Sequence, residues 1–296
     1  MATRTTPISQ TYTTPYITVD EFKRAATGVD VSSLVVGGTQ AAQDAELGSV
    51  IARASSFADT FCSSTLAAQQ QVETGRTRLS REGSLRLHPQ NTPMLQVVSL
   101  TWGTVPNAQT GSIDPTNIWI EDQMLVAPLA GSGSWSGNLF QYGPGGYPGS
   151  LIYYTLTYIA GYPISSVSAA ATVGASSISV VDRSGFLSSM MFTIFDGQNT
   201  ENAVVSSSYV PATGPGALTL SAVTSFAHST LSVASAVPPA IKEATILLTA
   251  ALIKQRGSGS IAMGGVDPTG TIGAWGAGDS DKCLAQEMLM PFRNPF

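Results

Sequence analysis

Two histidines, two cysteines and a few carboxylates are the residues of this 296-residue chain that could do chemistry. His88 and His228 lie far apart, and neither has a cysteine or a carboxylate cluster near it in sequence. Each therefore reads as a surface or turn residue rather than as a metal ligand or general base. Cys62 and Cys283 have neither zinc-site spacing nor the pattern of a disulfide framework, which suits a reducing compartment. Cys62 falls on an apolar stretch and reads as a small core hydrophobe. Gly131-Ser-Gly-Ser-Trp-Ser-Gly137 superficially resembles a serine nucleophile elbow, but it lacks the literal Gly-x-Ser-x-Gly pattern and a strand-to-helix setting. Asp279 and Asp281 are two carboxylates in a glycine-rich stretch, too little for a divalent-cation site. No phosphate-binding loop, dinucleotide fingerprint or zinc-protease helix is present in the sequence. The expectation is a protein that is not an enzyme and takes no metal and no cofactor.

Composition points the same way. Hydrophobic residues make up 43% of the chain and charged residues 11%, against roughly 25% charged in an ordinary soluble domain. So few charges suit a subunit whose flanks are occupied by neighbours. The formal net charge of −5 gives no overall basic footprint for nucleic acid. Arg76, Arg78, Arg81 and Arg86 form the one basic cluster, read either as a solvated hairpin face or as a lumen or inter-subunit contact. The N-terminus, MATRTTPISQTYTTPY, lacks the apolar core of a signal peptide, so synthesis in a cytoplasm is expected.

The elements that would position any site follow from periodicity. Residues 1–17 read as an extended, threonine-rich arm. Thr18-Val-Asp-Glu21 predicts a capping box and a short helix through Ala26. Gln43–Ser64 is the clearest amphipathic helix, with Leu47, Val50, Ile51, Ala54, Phe57, Ala58 and Phe61 at three- and four-residue steps. From Val72 the period becomes two, predicting strands at Arg76–Leu79, Ser84–Leu87, Leu95–Trp102, Asn117–Ala127 and Leu151–Ile159. Residues 165–236 lose almost all charge and read as a separate inserted β domain of short strands: Ser177–Val181, Met191–Phe195, Thr200–Tyr209, Ala217–Leu220 and Leu231–Ala234. Pro238–Arg256 is an apolar helix, too short for a membrane span, whose natural partner is the Gln43–Ser64 helix. Its wide apolar face reads as more than one partner helix can cover, leaving the remainder for a neighbouring subunit. Residues 258–296 read as a glycine-rich docking tail whose anchors are Trp275, Leu284, Met288, Leu289, Phe292 and Phe296. A short Asp281–Met290 helix folding back on its own domain is the alternative for this segment. The fold class expected is α+β. A small helical bundle with an antiparallel β region occupies 18–164 and 237–257, followed by the extended tail.

Several of these segments together resemble a known family. YITVDEFKRA opens at Tyr16, VIARASSFADTFCSS runs from Val50, and TLTYIAGYP ends a strand at Pro163. VPPAIKEATILLTAALIKQR starts a helix at Val237, and LAQEMLMPFRNP follows from Leu284. This arrangement resembles the head–tail connector (adaptor, or head-completion) proteins of long-tailed bacteriophages. In that family a Tyr-x-Ala-Gly-Tyr-like strand end leads within a few residues into a Val-Pro-Pro helix start. Here the two halves, Tyr158–Tyr162 and Val237–Ala244, are separated by the inserted β domain, a departure from the compact pattern. The resemblance covers most of 16–163 and 237–296. It implies a virion structural protein of the neck, made in the host bacterial cytoplasm. It also implies a homo-oligomeric ring, a dodecamer, between the portal protein and a stopper or tail-terminator protein. DNA would pass through the lumen without sequence-specific binding, and no membrane is involved. The competing reading is a tail or decoration protein whose β domain binds carbohydrate or receptor through Tyr209, Phe226 and the Asp196–Thr200 loop. A cell-wall hydrolase is a third reading, for which the sequence offers no identifiable catalytic acid.

Overall fold

The computed structural model describes residues 4–7, 15–106, 111–121, 124–129, 149–258 and 277–294, with side chains placed for most of them. The chain is α+β, with helices and antiparallel sheets. Its contacts divide it into two compact units: Arg4–Pro7 with Ala68–Gly161, and the described residues of Thr11–Ala67 and Tyr162–Pro295. The sequence reading grouped the chain differently, keeping residues 18–164 together and setting 165–236 apart.

The described part of the first unit is built mainly of strands. β1 (Arg4–Pro7), β2 (Gln69–Arg78), β8 (Leu151–Ala160), β4 (Met94–Gly103) and β5 (Gly111–Ile113) form a five-stranded antiparallel sheet in that order. β3 (Ser84–Leu87), β7 (Met124–Pro128) and β6 (Trp119–Glu121) form a second, three-stranded sheet. The segment expected as one strand, 117–127, is instead the end of a 3-10 turn followed by β6 and β7, which pair antiparallel. Alternation sets the core: Ile152, Tyr154, Leu156 and Tyr158 of β8 are all buried, together with Leu100, Trp102, Leu85 and Leu125.

In the second unit α1 (Val19–Arg24) begins with the expected capping box, Thr18 Oγ1 accepting from Glu21 N–H and Glu21 accepting from Thr18 N–H. α2 (Gln40–Cys62) is capped by Thr39 and ends at Ser63, which takes a left-handed conformation with φ 54°. α3 (Pro239–Ser258) runs antiparallel to it. Leu47, Val50 and Ile51 share a core with Ala250 and Ile253, whereas Ala54, Ala58 and Cys62 share one with Ile241, Ala244 and Leu248. Thr245 and Thr249 are buried in α3, each hydroxyl donating to the carbonyl four residues back.

The apolar excess of α3 is covered from within the chain. α4 (Ala277–Leu289) packs on α3, placing Ala285 and Leu289 in the Ala54–Leu248 core, with Met288 and Phe292 against it. Lys254 Nζ binds Asp281 at 2.6 Å, and Phe292 meets Tyr162 edge-on at 6.1 Å. The extended tail expected over 258–296 is therefore, across 277–294, a helix and a 3-10 turn folded onto α3. The reason is periodicity: Ala285, Met288, Leu289 and Phe292 fall at i, i+3, i+4 and i+7.

The β module of this unit is a six-stranded antiparallel sheet. Its order is β12 (Glu201–Val204), β11 (Met191–Phe195), β14 (Val233–Ser235), β9 (Ile164–Ala169), β10 (Ser177–Val180) and β13 (Gly216–Thr219). Phe186, Phe192, Ile178, Ile194 and Leu218 fill a core that shares no buried residue with those of the helices. Its first and last strands are neighbours, Ile164 opposite Ser235, and Ala236 N–H donates to Pro163 C=O at 2.8 Å. The module leaves the main chain path and returns to the same point.

Candidate functional site

The predicted basic cluster lies in the first unit, where strand alternation determines what surrounds it. On β2, Gln71 and Glu73 are buried while Thr74, Arg76 and Arg78 are exposed. Residues directly opposite in an antiparallel pair share a face. Arg76 stands opposite Tyr153, Thr74 opposite Thr155, and Val72 opposite Thr157. Across β8, Thr155 faces Thr101 and Thr157 faces Ser99; across β4, Thr101 faces Ser112. Among the residues whose side chains are described, this face of the five-stranded sheet thus carries Arg76 and Arg78, Tyr153, a set of hydroxyls and the apolar Val72 and Leu151, the last standing opposite Arg78 and 39% exposed, with no carboxylate.

The four arginines do not act as one group. Arg86, on β3, is paired with Glu82 at 3.1 Å. Arg81 is exposed in the turn between β2 and β3. Among the described residues no carboxylate forms an ion pair with Arg76, Arg78 or Arg81, whereas the guanidinium of Arg86 is already engaged. Such a row of arginines and hydroxyls is the donor set that contacts phosphate oxygens.

Beneath this face lies a polar centre that the sequence did not announce. Glu73 is 1% exposed and accepts from Tyr154 Oη at 3.1 Å, Tyr158 Oη at 3.3 Å and Gln90 N–H at 3.0 Å. Burial, despite the bond from Asn91 N–H, pushes the Tyr158 phenol well above its ordinary value. Three donors satisfy one buried carboxylate, which ties together β2, β8 and the loop between β3 and β4.

The expected docking anchors separate. Leu289 is fully buried, Met288 and Phe292 are partly buried against the same core, and Leu284 remains 45% exposed. Leu289 is therefore a core residue, because α4 turns it toward α2 and α3, and of the described anchors only Leu284 is left on the surface. Trp275 and Phe296 lie outside the residues described, as does Gly131–Gly137. Asp281 is engaged by Lys254, and the side chain of Asp279 is not among those described.

His228 corrects the sequence reading. It is 2% exposed rather than a surface residue. Nε2 lies 2.7 Å from Glu201 Oε1, and Nδ1 lies 3.5 Å from Asp196 Oδ2. Glu201 also accepts from Ser225 N–H at 2.8 Å, and Asp196 from Ser229 N–H at 3.0 Å. Burial works upward on both carboxyls and is outweighed by the bonds they accept. Those bonds come chiefly from Ser229 N–H for Asp196 and from His228 for Glu201, and both groups are held below the usual carboxylate range. The cluster ties two loops to the sheet end. His88, by contrast, is exposed.

A third polar knot lies at the end of α2. The Tyr16 hydroxyl donates to Asp59 and accepts from Ala67 N–H at 3.2 Å, while Asp59 also accepts from Leu66 N–H at 3.0 Å. Burial and then the Asp59 charge push the Tyr16 phenol well above its ordinary value. Cys62 is buried with its thiol pushed up to about 11, chiefly by burial, and Cys283 is exposed and free. Among the described residues no group of three or more His, Cys, Asp or Glu could hold a metal ion, and no helix is long and apolar enough to cross a membrane. Comparisons with protein families, with curated proteins and with solved structures found no match to this chain.

Proposed function

We propose that the protein is a virion structural protein, the head-to-tail adaptor that forms a ring between portal and stopper or tail and assists head completion and tail attachment. The observation that carries this reading is the closure of the β module. The strand end Tyr158–Tyr162 and the helix start Val237–Ala244 are distant in sequence, yet Ala236 N–H donates to Pro163 C=O at 2.8 Å. Tyr162, Val237 and Ile241 pack in one hydrophobic cluster. With the module taken as a closed excursion, the chain passes from strand end to helix start as the connector pattern requires. The antiparallel α2–α3 pair, with α4 completing it, is the helical body that would pack side by side around the ring.

Electron microscopy of the purified protein, alone and mixed with portal, tests this reading. A closed ring of subunits, formed alone or only on portal, is expected. A protein that stays monomeric under both conditions overturns the proposal.

A further inference from the structure

We propose that the second unit holds a binding site for one small, uncharged apolar molecule of about the size of benzene. The site is a cavity of about 160 Å³ between the start of α1, α2 and strands β9 and β14 of the module. Ile17, Val19 and Ile51 line it from the helical side, and Ile164 and Val233 from the sheet. Ile17 and Ile51 are buried, whereas Pro15 and Ser166, which also line it, are exposed and form a rim open to solvent. Gly48 of α2 completes the lining and keeps the space free. It lies in the interior of the helix, where alanine is the better helix former. Its φ is outside the left-handed region, so the backbone conformation does not call for glycine. Close packing does not call for it either. Beyond its own helix backbone, a Cβ at this position would meet only Val19 Cγ2, at 3.8 Å, an ordinary van der Waals contact. A side chain would fit there, and it would take its volume from the cavity.

The walls set the chemistry of the ligand. Thr18 Oγ1 accepts from Glu21 N–H at 3.0 Å. Ser165 Oγ accepts from Asp182 N–H at 2.8 Å and donates to Ser166 C=O at 3.4 Å. The third hydroxyl, that of Ser166, belongs to the exposed rim. The strand backbone at the site is paired within the sheet, Ser165 opposite Ala234 and Ser166 opposite Val233. No ionisable residue is among the described lining residues. A charged ligand would lose its hydration there and gain no partner in return. Size narrows the class further. Apolar cavities of about 150 Å³ take up benzene or xenon, whereas a drug-sized ligand needs about 300 Å³ or more. A helix or strand of a partner protein is larger still, which leaves a single hydrocarbon ring or a short aliphatic chain. Nothing in this site depends on the adaptor reading.

The test is titration of the full chain with benzene, followed by methyl NMR. Ring-current shifts are expected at the methyls of Ile17, Val19, Ile51, Ile164 and Val233, saturating together with a single Kd. Benzoate, which adds a charge to the same ring, is expected to produce none of them. Gly48→Leu is expected to abolish the shifts. Gly48→Ala is expected to weaken binding while raising the melting temperature, and Ala45→Leu, at an exposed position of the same helix, to leave binding unchanged. Circular dichroism confirms which variants are folded. No shift in the unmodified chain overturns the proposal. Shifts that do not saturate, or that scatter over methyls elsewhere, show adsorption to apolar surface and also overturn it. Benzoate binding as tightly as benzene overturns the ligand class, and binding that survives Gly48→Leu in a folded protein overturns the location. Should Gly48→Leu not fold, Gly48→Ala decides alone. Unchanged binding, or a lower melting temperature that shows the glycine to be required by packing, then overturns the proposal. Ring formation seen by microscopy is unaffected by any of these outcomes, so the two proposals fail separately.

Discussion

The two β regions use their charged residues in opposite ways. In the first unit Arg76 and Arg78 are exposed on a sheet face with no carboxylate partner among the described residues, above a core fixed by neutral donors to Glu73. In the β module every charged residue is partly buried and bonded to a loop of the module itself. Asp182 accepts from Ser184 N–H and Gly214 N–H, Arg183 donates to Gly214 C=O, and Asp196 and Glu201 flank His228. Charge that is internally satisfied stabilises a shape, and charge left open on a surface is available to a partner. The polar residues of the module thus serve its own architecture, whereas Arg76 and Arg78 of the first unit are exposed.

The contrast can be broken at several points. The largest effect is expected in the core of the module. Phe192→Ala removes a ring packed edge-on against Phe186 at 5.5 Å, and should cost about 3–5 kcal/mol. Hydrogen exchange should rise throughout 164–236 while α2 keeps its protection. A loss of protection shared equally by α2 would show that the two cores are not independent.

Acid should act on the module next. Asp196 and Glu201 have folded-state pKa values below their unfolded ones, so their stabilisation is present above the ordinary carboxylate value of about 4. It is lost as pH falls through the lower, folded values. Exchange in the 196–201 and 225–229 loops should therefore increase below about pH 4, and Asp196→Asn/Glu201→Gln should flatten that response. An unchanged acid profile in the double variant would mean that other groups hold these loops. The smallest effect is expected for Arg76→Ala/Arg78→Ala. Exposed side chains with no ion-pair partner among the described residues should shift stability by no more than about 0.5 kcal/mol, as read from denaturant midpoints. A larger loss would make the arginines structural and would remove the contrast between the two regions.

Local signals in the sequence were legible and non-local ones were not. The Thr18–Glu21 capping box, the α2 stripe and the alternation of Ile152, Tyr154, Leu156 and Tyr158 each lie within one element. Each predicted its structure. The α4 stripe of Ala285, Met288, Leu289 and Phe292 was equally local, but the glycine-rich approach to it favoured reading an extended tail. β9 went unread because Ile164–Ala169 is mostly small residues, with Ile164 and Val167 its only large apolar side chains. The polar centres were beyond reach in principle. Glu73 meets tyrosines 81 and 85 residues away, and Glu201 meets His228 across 27. No local spacing encodes such pairs. The arginine cluster was visible as a run of charge. Its division into Arg86, held by Glu82, and Arg76 and Arg78, opposite Tyr153 and Leu151 of β8, is visible only in the folded chain.

The central claim is that a closed β module has been placed into a connector-like helical body. Its most direct test is removal of 164–236 with Pro163 joined to Val237, followed by thermal melting and co-sedimentation with portal. The account predicts a protein that still melts cooperatively and still sediments with portal, because the bond from Ala236 to Pro163 already brings the two ends together. An aggregated or non-cooperative product, or a folded one that no longer sediments with portal, would contradict it.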